Sequence, residues 1–260
     1  MSIANLPYAA VAALSSFDGI SLIDLQAEAS FLTRRDRKYL VPVEAAASLF
    51  AGIEPGSRVL QIDGTREFSY TTRYFDDDHA AYFRTLRRRP NRFKVRTRLY
   101  NDTGICQLEV KVRDGRGMTV KERLNHDQSA FGALGIDDLA WLRAFPQIGE
   151  HADHLEPCLS TFYRRTTIVF PAGAGRMTID RDLSFAGLDG HQLSLPGWLT
   201  IETKSAGAPL PMDRYLWAHG FRPVKASKFA FGVSLLHPEL PANRWHRLLN
   251  QLEDQFVKVA

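Results

Sequence analysis

Charged side chains recur at every second position in one segment after another: Arg34-Asp36-Lys38, Lys94-Arg96-Arg98, Glu109-Lys111, Lys121-Arg123, Arg176-Thr178-Asp180 and Glu202-Lys204. Side chains alternate between the two faces of an extended strand, so residues i and i+2 share a face. The intervening positions are mostly apolar: Val95 and Leu99; Leu108, Val110 and Val112; Met177 and Ile179; Leu199 and Ile201. A period of two, with charge on one face and hydrocarbon on the other, predicts antiparallel strands with one buried face. If the strands belong to one sheet that closes, the charged faces point inward and form a hole built for a polyanion.

The punctuation between these runs sets the element order. Residues 1–30 form a lead-in with a short helix around Leu22–Ala29, and residues 31–260 a single domain. Phe31–Leu40 is the first strand, and Pro42 opens a helix through Val43–Ile53. Val59–Ile62 and Glu67–Phe75 are strands, and His79–Arg88 is a helix ended by Pro90. A meander follows, with Arg92–Tyr100 and Ile105–Arg113 joined by Asn101-Asp102-Thr103-Gly104. The turn Asp114-Gly115-Arg116-Gly117 leads into Met118–Leu124. Helices are expected over Ser129–Leu134 and Ile136–Phe145, the second capped by Asp137 or Asp138. Two long strands, Leu159–Phe170 and Gly175–Phe185, flank a Pro171–Ala174 turn, and Trp198–Ser205 is the last strand. Helices Met212–His219, Ser227–Leu236 and Arg244–Phe256 end the chain, with Asn243 placed to cap the last. Many long antiparallel strands with helices between and after them predict an α+β fold or a decorated barrel.

A length of 260 residues suffices for one closed β architecture. The net charge of +4 tolerates an anionic partner, and its distribution says more than its total. Cys106 and Cys158 form no CxxC pair and suggest no disulfide framework, as in a reducing compartment. The N-terminus lacks a basic stretch before its short apolar run, and no segment is long and apolar enough to cross a bilayer. A soluble, cytoplasmic chain is therefore expected. There is no Walker A loop, no GxGxxG after a strand, no HExxH and no GxSxG. His151 and His154 lie in a polar connection and read as solvent-exposed rather than as a metal pair. Any phosphate chemistry must therefore use side chains rather than a backbone cradle.

A wet sheet face also carries alternating charge. Three features favour a ligand. The charges are mainly cationic, and like charges on neighbouring strands repel. Arginine is prominent, and its planar fork suits pairs of phosphate oxygens. Glu109 and Glu202 each sit two residues before a Lys, placing isolated acids in a basic field, as a divalent metal beside phosphate requires. The Arg84–Lys94 run (RTLRRRPNRFK) is a solvated helix end or a basic rim that draws in polyanions. Aromatic interleaving for base stacking is weak, so no nucleic-acid partner is expected.

The segments TRRDRKYLV (33–41), YFDD (74–77), FKVRTRLY (93–100), LEVKVR (108–113), VKER (120–123), YRRT (163–166), RMTIDRDL (176–183), IETK (201–204) and KASKF (225–229) stand in the order found in VTC domains. In these pieces the chain resembles that polyphosphate polymerase branch of the triphosphate tunnel metalloenzymes. The resemblance implies an α+β fold: an antiparallel eight-stranded β-barrel forming a tunnel, with helices packed outside. It implies that Arg96, Arg98, Lys111, Arg165 and Arg176 clamp the reacting phosphates. Lys38, Lys121, Arg123, Lys204, Lys225 and Lys228 would bind further phosphates, the last two at a second mouth, and Lys94, on the face of Arg96 and Arg98, would join them at the tunnel mouth. It also implies that Glu202, with Glu109 or Asp180, holds Mn²⁺ or Mg²⁺. One departure stands out: the wider superfamily opens on Glu-x-Glu-x-Lys, whereas this chain has Arg34-x-Asp36-x-Lys38. Loss of the first acid removes a possible metal ligand and suits the VTC branch. The implied activity is transfer of the γ-phosphoryl group of ATP to polyphosphate. A triphosphatase or other nucleotide-cleaving enzyme, and a polyphosphate-binding module without turnover, are the alternatives. An acid in the IETK context argues against a pure binder.

Overall fold

The structure, a computed structural model, describes residues 14–28, 35–113 and 119–259. The expected lead-in up to residue 13, the start of the first strand at 31–34 and the turn at 114–118 lie outside the described residues. The described strands are β1 (Asp18–Ile20), β2 (Arg35–Pro42), β3 (Arg58–Leu60), β4 (Phe68–Asp76), β5 (Phe93–Tyr100), β6 (Ile105–Arg113), β7 (Thr119–His126), β8 (Glu156–Val169), β9 (Gly175–Ala186), β10 (Gln192–Ser194), β11 (Trp198–Ser205) and β12 (Val257–Lys258). The helices are α1 (Leu22–Glu28), α2 (Ala46–Ala51), α3 (Ala80–Leu86), α4 (Ile136–Arg143), α5 (Pro211–Ala218), α6 (Lys228–Leu236) and α7 (His246–Leu252). None is long and apolar enough to cross a membrane. The fold is an antiparallel sheet with helices packed around it, of the α+β class. Residues 1–68, 163–183 and 195–225 make one compact unit, and residues 69–162, 184–194 and 226–260 make another.

In the first unit β11 lies between β2 and β9, antiparallel to both. One face of this three-stranded core places Tyr39, Val41, Met177, Ile179, Leu199 and Ile201 against Leu49 and Phe50 of α2 and Met212 and Leu216 of α5. Burying each such side chain contributes roughly 1.5–3 kcal/mol. Asp213, fully buried on α5, ties this layer together. It accepts hydrogen bonds from Tyr39 Oη (2.6 Å), Thr203 Oγ1 (2.6 Å) and the Leu210 amide (2.8 Å). Arg37 Nη1 reaches it at 3.4 Å, and Arg37 Nη2 donates to the Gly207 carbonyl at 2.7 Å. The β8–β9 hairpin closes through Phe170 N–H to the Gly175 carbonyl (2.9 Å). Gly175 has φ +150°, and a Cβ there would stand 2.2 Å from the Lys204 carbonyl oxygen, so β9 approaches β11 only because the residue is glycine.

In the second unit β4, β5, β6 and β7 form an antiparallel meander. Gly104, at φ +68°, makes the β5–β6 turn, its N–H donating to the Tyr100 carbonyl at 2.9 Å. The apolar face carries Phe93, Val95, Leu108, Val110 and Val112, all buried. The 127–155 connection covers it: Gly132 N–H donates to Thr97 Oγ1 (3.2 Å), and the His151 ring lies 5.1 Å from that of Phe93. α3 starts where the buried Asp76 carboxylate accepts from the Ala81 (2.7 Å) and Tyr82 (3.1 Å) amides.

Several expectations are corrected. The sheet is not closed, so an eight-stranded barrel describes it only loosely. Among the described residues β2 pairs only with β11, and β7 only with β6. Pro42 ends β2 and caps a 3-10 turn, Val43–Ala45, before α2, because its extended backbone continues the strand. Ser129–Leu134 is not a helix; only Gln128–Ala130 forms a 3-10 turn, capped by Asp127 and ended before Gly132 at φ +86°. Asp138 does serve α4, from its third position, by accepting the Gly135 amide at 2.9 Å. Asn243 does not cap the last helix, which starts after Trp245 and stops at Leu252.

Asp213→Ala is expected to strand the buried Arg37 guanidinium and lower stability by roughly 3–5 kcal/mol. Chemical denaturation would register this as a lower midpoint at constant slope; an unchanged midpoint would refute the role given to Asp213.

Candidate functional site

Each unit presents one charged sheet face, and ladder register decides its membership. In the second unit, Arg96 lies opposite Tyr74 and Glu109, Arg98 opposite Thr72 and Gln107, and Lys94 opposite Lys111. β7 adds Lys121 opposite Lys111, and Arg123 opposite Glu109. Directly opposed residues share a face. Six predicted cations, Lys94, Arg96, Arg98, Lys111, Lys121 and Arg123, therefore surround one acid.

That acid, Glu109, is only 1% exposed. Arg96 Nε donates to its Oε2 at 2.7 Å and Lys121 Nζ to its Oε1 at 2.5 Å, while Arg98 Nη1 stands 3.7 Å from Oε2. Burial opposes ionisation of this carboxyl, but Arg96, Arg98 and Lys121 together hold it well below the usual carboxylate range. Glu109 is thus placed as a counter-ion, with both oxygens accepting from cations. Loss of water lowers the Lys121 ammonium to about 8, with Glu109 opposing the shift and Arg96 assisting it. Aromatic rings seat the arginines: Arg96 lies 5.7 Å from the Tyr74 ring centroid and Arg98 5.7 Å from that of Tyr70. Lys94 Nζ donates to Ser227 Oγ (2.8 Å), the residue that caps α6 through the Ala230 amide. Lys94 and Lys228 thus flank the start of α6, whose dipole also favours anions.

In the first unit, Glu202 lies between Lys38 and Thr178, Lys204 between Asp36 and Arg176, and Thr200 opposite Asp180. Arg165 on β8 donates to both oxygens of Asp180, Nε at 2.5 Å and Nη2 at 2.8 Å, and stacks 5.1 Å from the Tyr163 ring. Lys204 Nζ is 3.2 Å from Glu202 Oε1. Burial lowers the Lys204 ammonium to about 8, Glu202 opposing and Arg165 assisting. The exposed Lys225 follows Val224, whose amide donates to the Lys38 carbonyl at 2.7 Å. Lys38, Arg165, Arg176, Lys204 and Lys225 are thus gathered in this unit with Glu202 and Asp180. Glu109 and Lys228 belong to the other.

No cluster of three or more His, Cys, Asp or Glu side chains is present among the described residues. Manganese and magnesium need hard oxygen donors and commonly take one or two carboxylates, with water and phosphate completing the shell. Glu202 fits this pattern. Thr178 Oγ1, from the residue opposite it, is buried and makes no hydrogen bond, leaving an oxygen for an ion-bound water. Asp180 fits less well, because Arg165 occupies both its oxygens.

Tyr70 and Tyr74, beside Arg98 and Arg96, escaped sequence reasoning, although Tyr70-Thr72-Tyr74 carries the same period of two. Arg37 went unassigned because TRRDRK holds cations at both parities; only Asp213 reveals that it points into the core.

The family model for the VTC domain matches residues 33–237. The chain belongs to the VTC domain family. No curated relative matches it. Its fold is similar to a Pyrococcus horikoshii OT3 protein (TM-score 0.46, 12% identity, covering 79% of this chain and 99% of that one). It is also similar to a Hippeastrum protein described as a candidate adenylyl cyclase with a dominant triphosphatase activity (TM-score 0.45, 13% identity, 76% and 94% covered). A candidate adenylate cyclase from Vibrio parahaemolyticus aligns with TM-score 0.39 and 15% identity, over 72% and 82% of the two chains.

Two outcomes test this VTC domain's charged faces. Glu109→Gln is expected to leave Arg96, Arg98 and Lys121 in mutual repulsion and to cost about 3 kcal/mol of stability; a melting temperature equal to wild type would reject the counter-ion role. Lys121 and Lys204 lose their protons near pH 8, below the free-lysine value of 10.5. The folded chain sheds these protons first, so between about pH 8 and 10.5 their contribution to stability rises with pH, while their attraction for anions falls. Tripolyphosphate affinity, titrated calorimetrically at pH 7 and pH 9, should drop across that interval; equal affinities would exclude the two lysines from binding.

Proposed function

We propose that the chain is a polyphosphate polymerase: it transfers the γ-phosphoryl group of ATP to a growing polyphosphate chain and releases ADP. The supporting observation is the Glu202–Lys204 pair, set among Lys38, Arg176 and Arg165-bound Asp180, within a VTC domain. A carboxylate in that position can hold a divalent metal beside phosphate, a capacity that a face built only to retain a polyanion does not need.

The chemistry suits the residues present. A terminal phosphate oxygen of the acceptor attacks Pγ, the bond from Pγ to the bridging oxygen breaks, and ADP leaves with that electron pair. The acceptor oxygen is already ionised at neutral pH, so no general base is needed. The transition state is loose, with charge spread over three equatorial oxygens, and it responds to positioning and cations. In the second unit Arg96 and Arg98 clamp phosphoryl oxygens as paired donors, with Lys111 as a point charge and Lys94, Lys121, Arg123 and Lys228 holding further phosphates. In the first unit Arg165 and Arg176 are the paired donors, with Lys38, Lys204 and Lys225 holding further phosphates. Glu109 and Asp180 orient arginines rather than reacting. Glu202 would hold Mn²⁺ or Mg²⁺, which supplies charge neutralisation at phosphoryl oxygens when bound.

Incubation with ATP and Mn²⁺, followed by gel separation and phosphate assay, tests this reading. Long anionic polymer with stoichiometric ADP is expected. Free phosphate or tripolyphosphate without polymer would replace the polymerase reading with nucleotide cleavage, and no turnover with retained polyphosphate binding would leave a binding module. Glu202→Gln is expected to lose at least 100-fold in turnover, about 2.7 kcal/mol of barrier, while keeping most polyphosphate affinity.

A further inference from the structure

The densest arginine run of the chain, Arg84 to Arg92, is not absorbed by the charged sheet faces. Its helix, α3, ends at Leu86. Arg88 (φ 53°) and Asn91 (φ 57°) then adopt left-handed backbone, which folds Arg89 and Pro90 back on the helix. The fold-back borders an open cleft of about 460 Å³, lined chiefly by Phe83, Arg84, Arg87, Arg89, Pro90 and His151. Such a volume falls within the range of about 300–1,000 Å³ common for ligand sites.

The cavity is organised as well as basic. Arg84 Nη2 lies 3.0 Å from His151 Nε2, and His151 Nδ1 lies 2.7 Å from Asp77 Oδ2. The acid fixes the tautomer, so the ring donates from Nδ1 and accepts from Arg84 at Nε2. The Arg87 guanidinium sits 5.2 Å over the Phe83 ring. Helix C-termini ordinarily repel anions through exposed carbonyls, but here three of those carbonyls are occupied. Phe83 O accepts the Arg87 amide (2.9 Å), Arg84 O the Arg89 amide (3.0 Å), and Thr85 O the Arg88 amide (3.3 Å) and Arg244 Nη1 (2.6 Å). The acid nearest Arg84, Glu150, stands 3.5 Å from it and is largely exposed. Behind the cavity Arg92 and Arg244 are both held below the usual arginine range, first by burial and then by neighbouring arginines, Arg88 among them. The local cationic charge exceeds what the nearby acids offset.

We propose that this cleft is a second anion site, separate from the charged sheet face of its own unit, in which Arg84, Arg87 and Arg89 bind successive phosphoryl groups of a phosphate chain three or more units long. Arginine forks match pairs of non-bridging oxygens, and three forks require a ligand with repeating charge rather than a single carboxylate. Binding here needs no turnover and does not rest on the polymerase reading.

Equilibrium dialysis with labelled tripolyphosphate tests it, comparing wild type, Arg87→Ala/Arg89→Ala and Arg84→Lys. The wild type should show a class of sites that the double variant loses or binds at least tenfold more weakly, with the melting temperature unchanged because both arginines are exposed. Arg84→Lys should weaken the same class, since charge without the fork is insufficient. Identical stoichiometry and affinity in all three proteins would overturn the proposal. ATP displacing the label as well as tripolyphosphate does would keep the site and assign the phosphate chain to a nucleotide. A single-stranded oligonucleotide that displaces it better than either, at equal phosphate concentration, would overturn it. Because binding is read without ATP turnover, a failed polymerase assay would leave this result standing.

Discussion

Like charges on one sheet face repel, and both charged faces of this protein exist because buried carboxylates offset that repulsion. Glu109 neutralises part of a field made by Arg96, Arg98 and Lys121. Asp180 does the same for Arg165 through a two-point contact. Neither acid cancels the surrounding charge, so each face remains cationic while its arginines are held in fixed orientations. A guanidinium already oriented by a carboxylate and an aromatic ring loses little further freedom when it meets a phosphate. Stability and ligand recognition thus share the same ion pairs.

The core side of the first unit follows a parallel logic. Asp213 gathers a phenol and an arginine from β2, a threonine hydroxyl from β11 and a backbone amide from the β11–α5 connection. With its polar groups satisfied, this layer fixes α5 against the strands. Register across β2, β11 and β9 then brings Lys38, Glu202 and Thr178 into one row. A one-residue slip would turn that row into the hydrocarbon core and expose Tyr39 and Ile201.

Long strands were legible because alternation persisted over eight or more residues. β6 and β11 match the expected ranges end for end, and β5 to within one residue. The short strands β1, β10 and β12 carry two or three residues each, too few for a period to register. Helix ends were less legible: α3 starts one residue after the expected His79, its first amides held by Asp76 from inside β4, and Trp245 rather than Asn243 precedes α7. The Arg84–Arg92 run read as a solvated helix end or a basic rim, because its cleft depends on two left-handed residues and on His151 from a distant segment.

The parity of charge along each strand was decided by the sequence alone, since the side-chain period of an extended chain is a geometric constant. Family membership was legible for the same reason: the motifs are strings of alternating residues in a fixed order. What each acid does was decided only by the tertiary structure. Glu109 and Glu202 have nearly identical local contexts, each two residues before a lysine on a strand. Neighbouring strands then place three cations around Glu109, and Lys38 and Thr178 on either side of Glu202. Coulomb interactions depend on distances across the sheet, and no spacing along one strand encodes them.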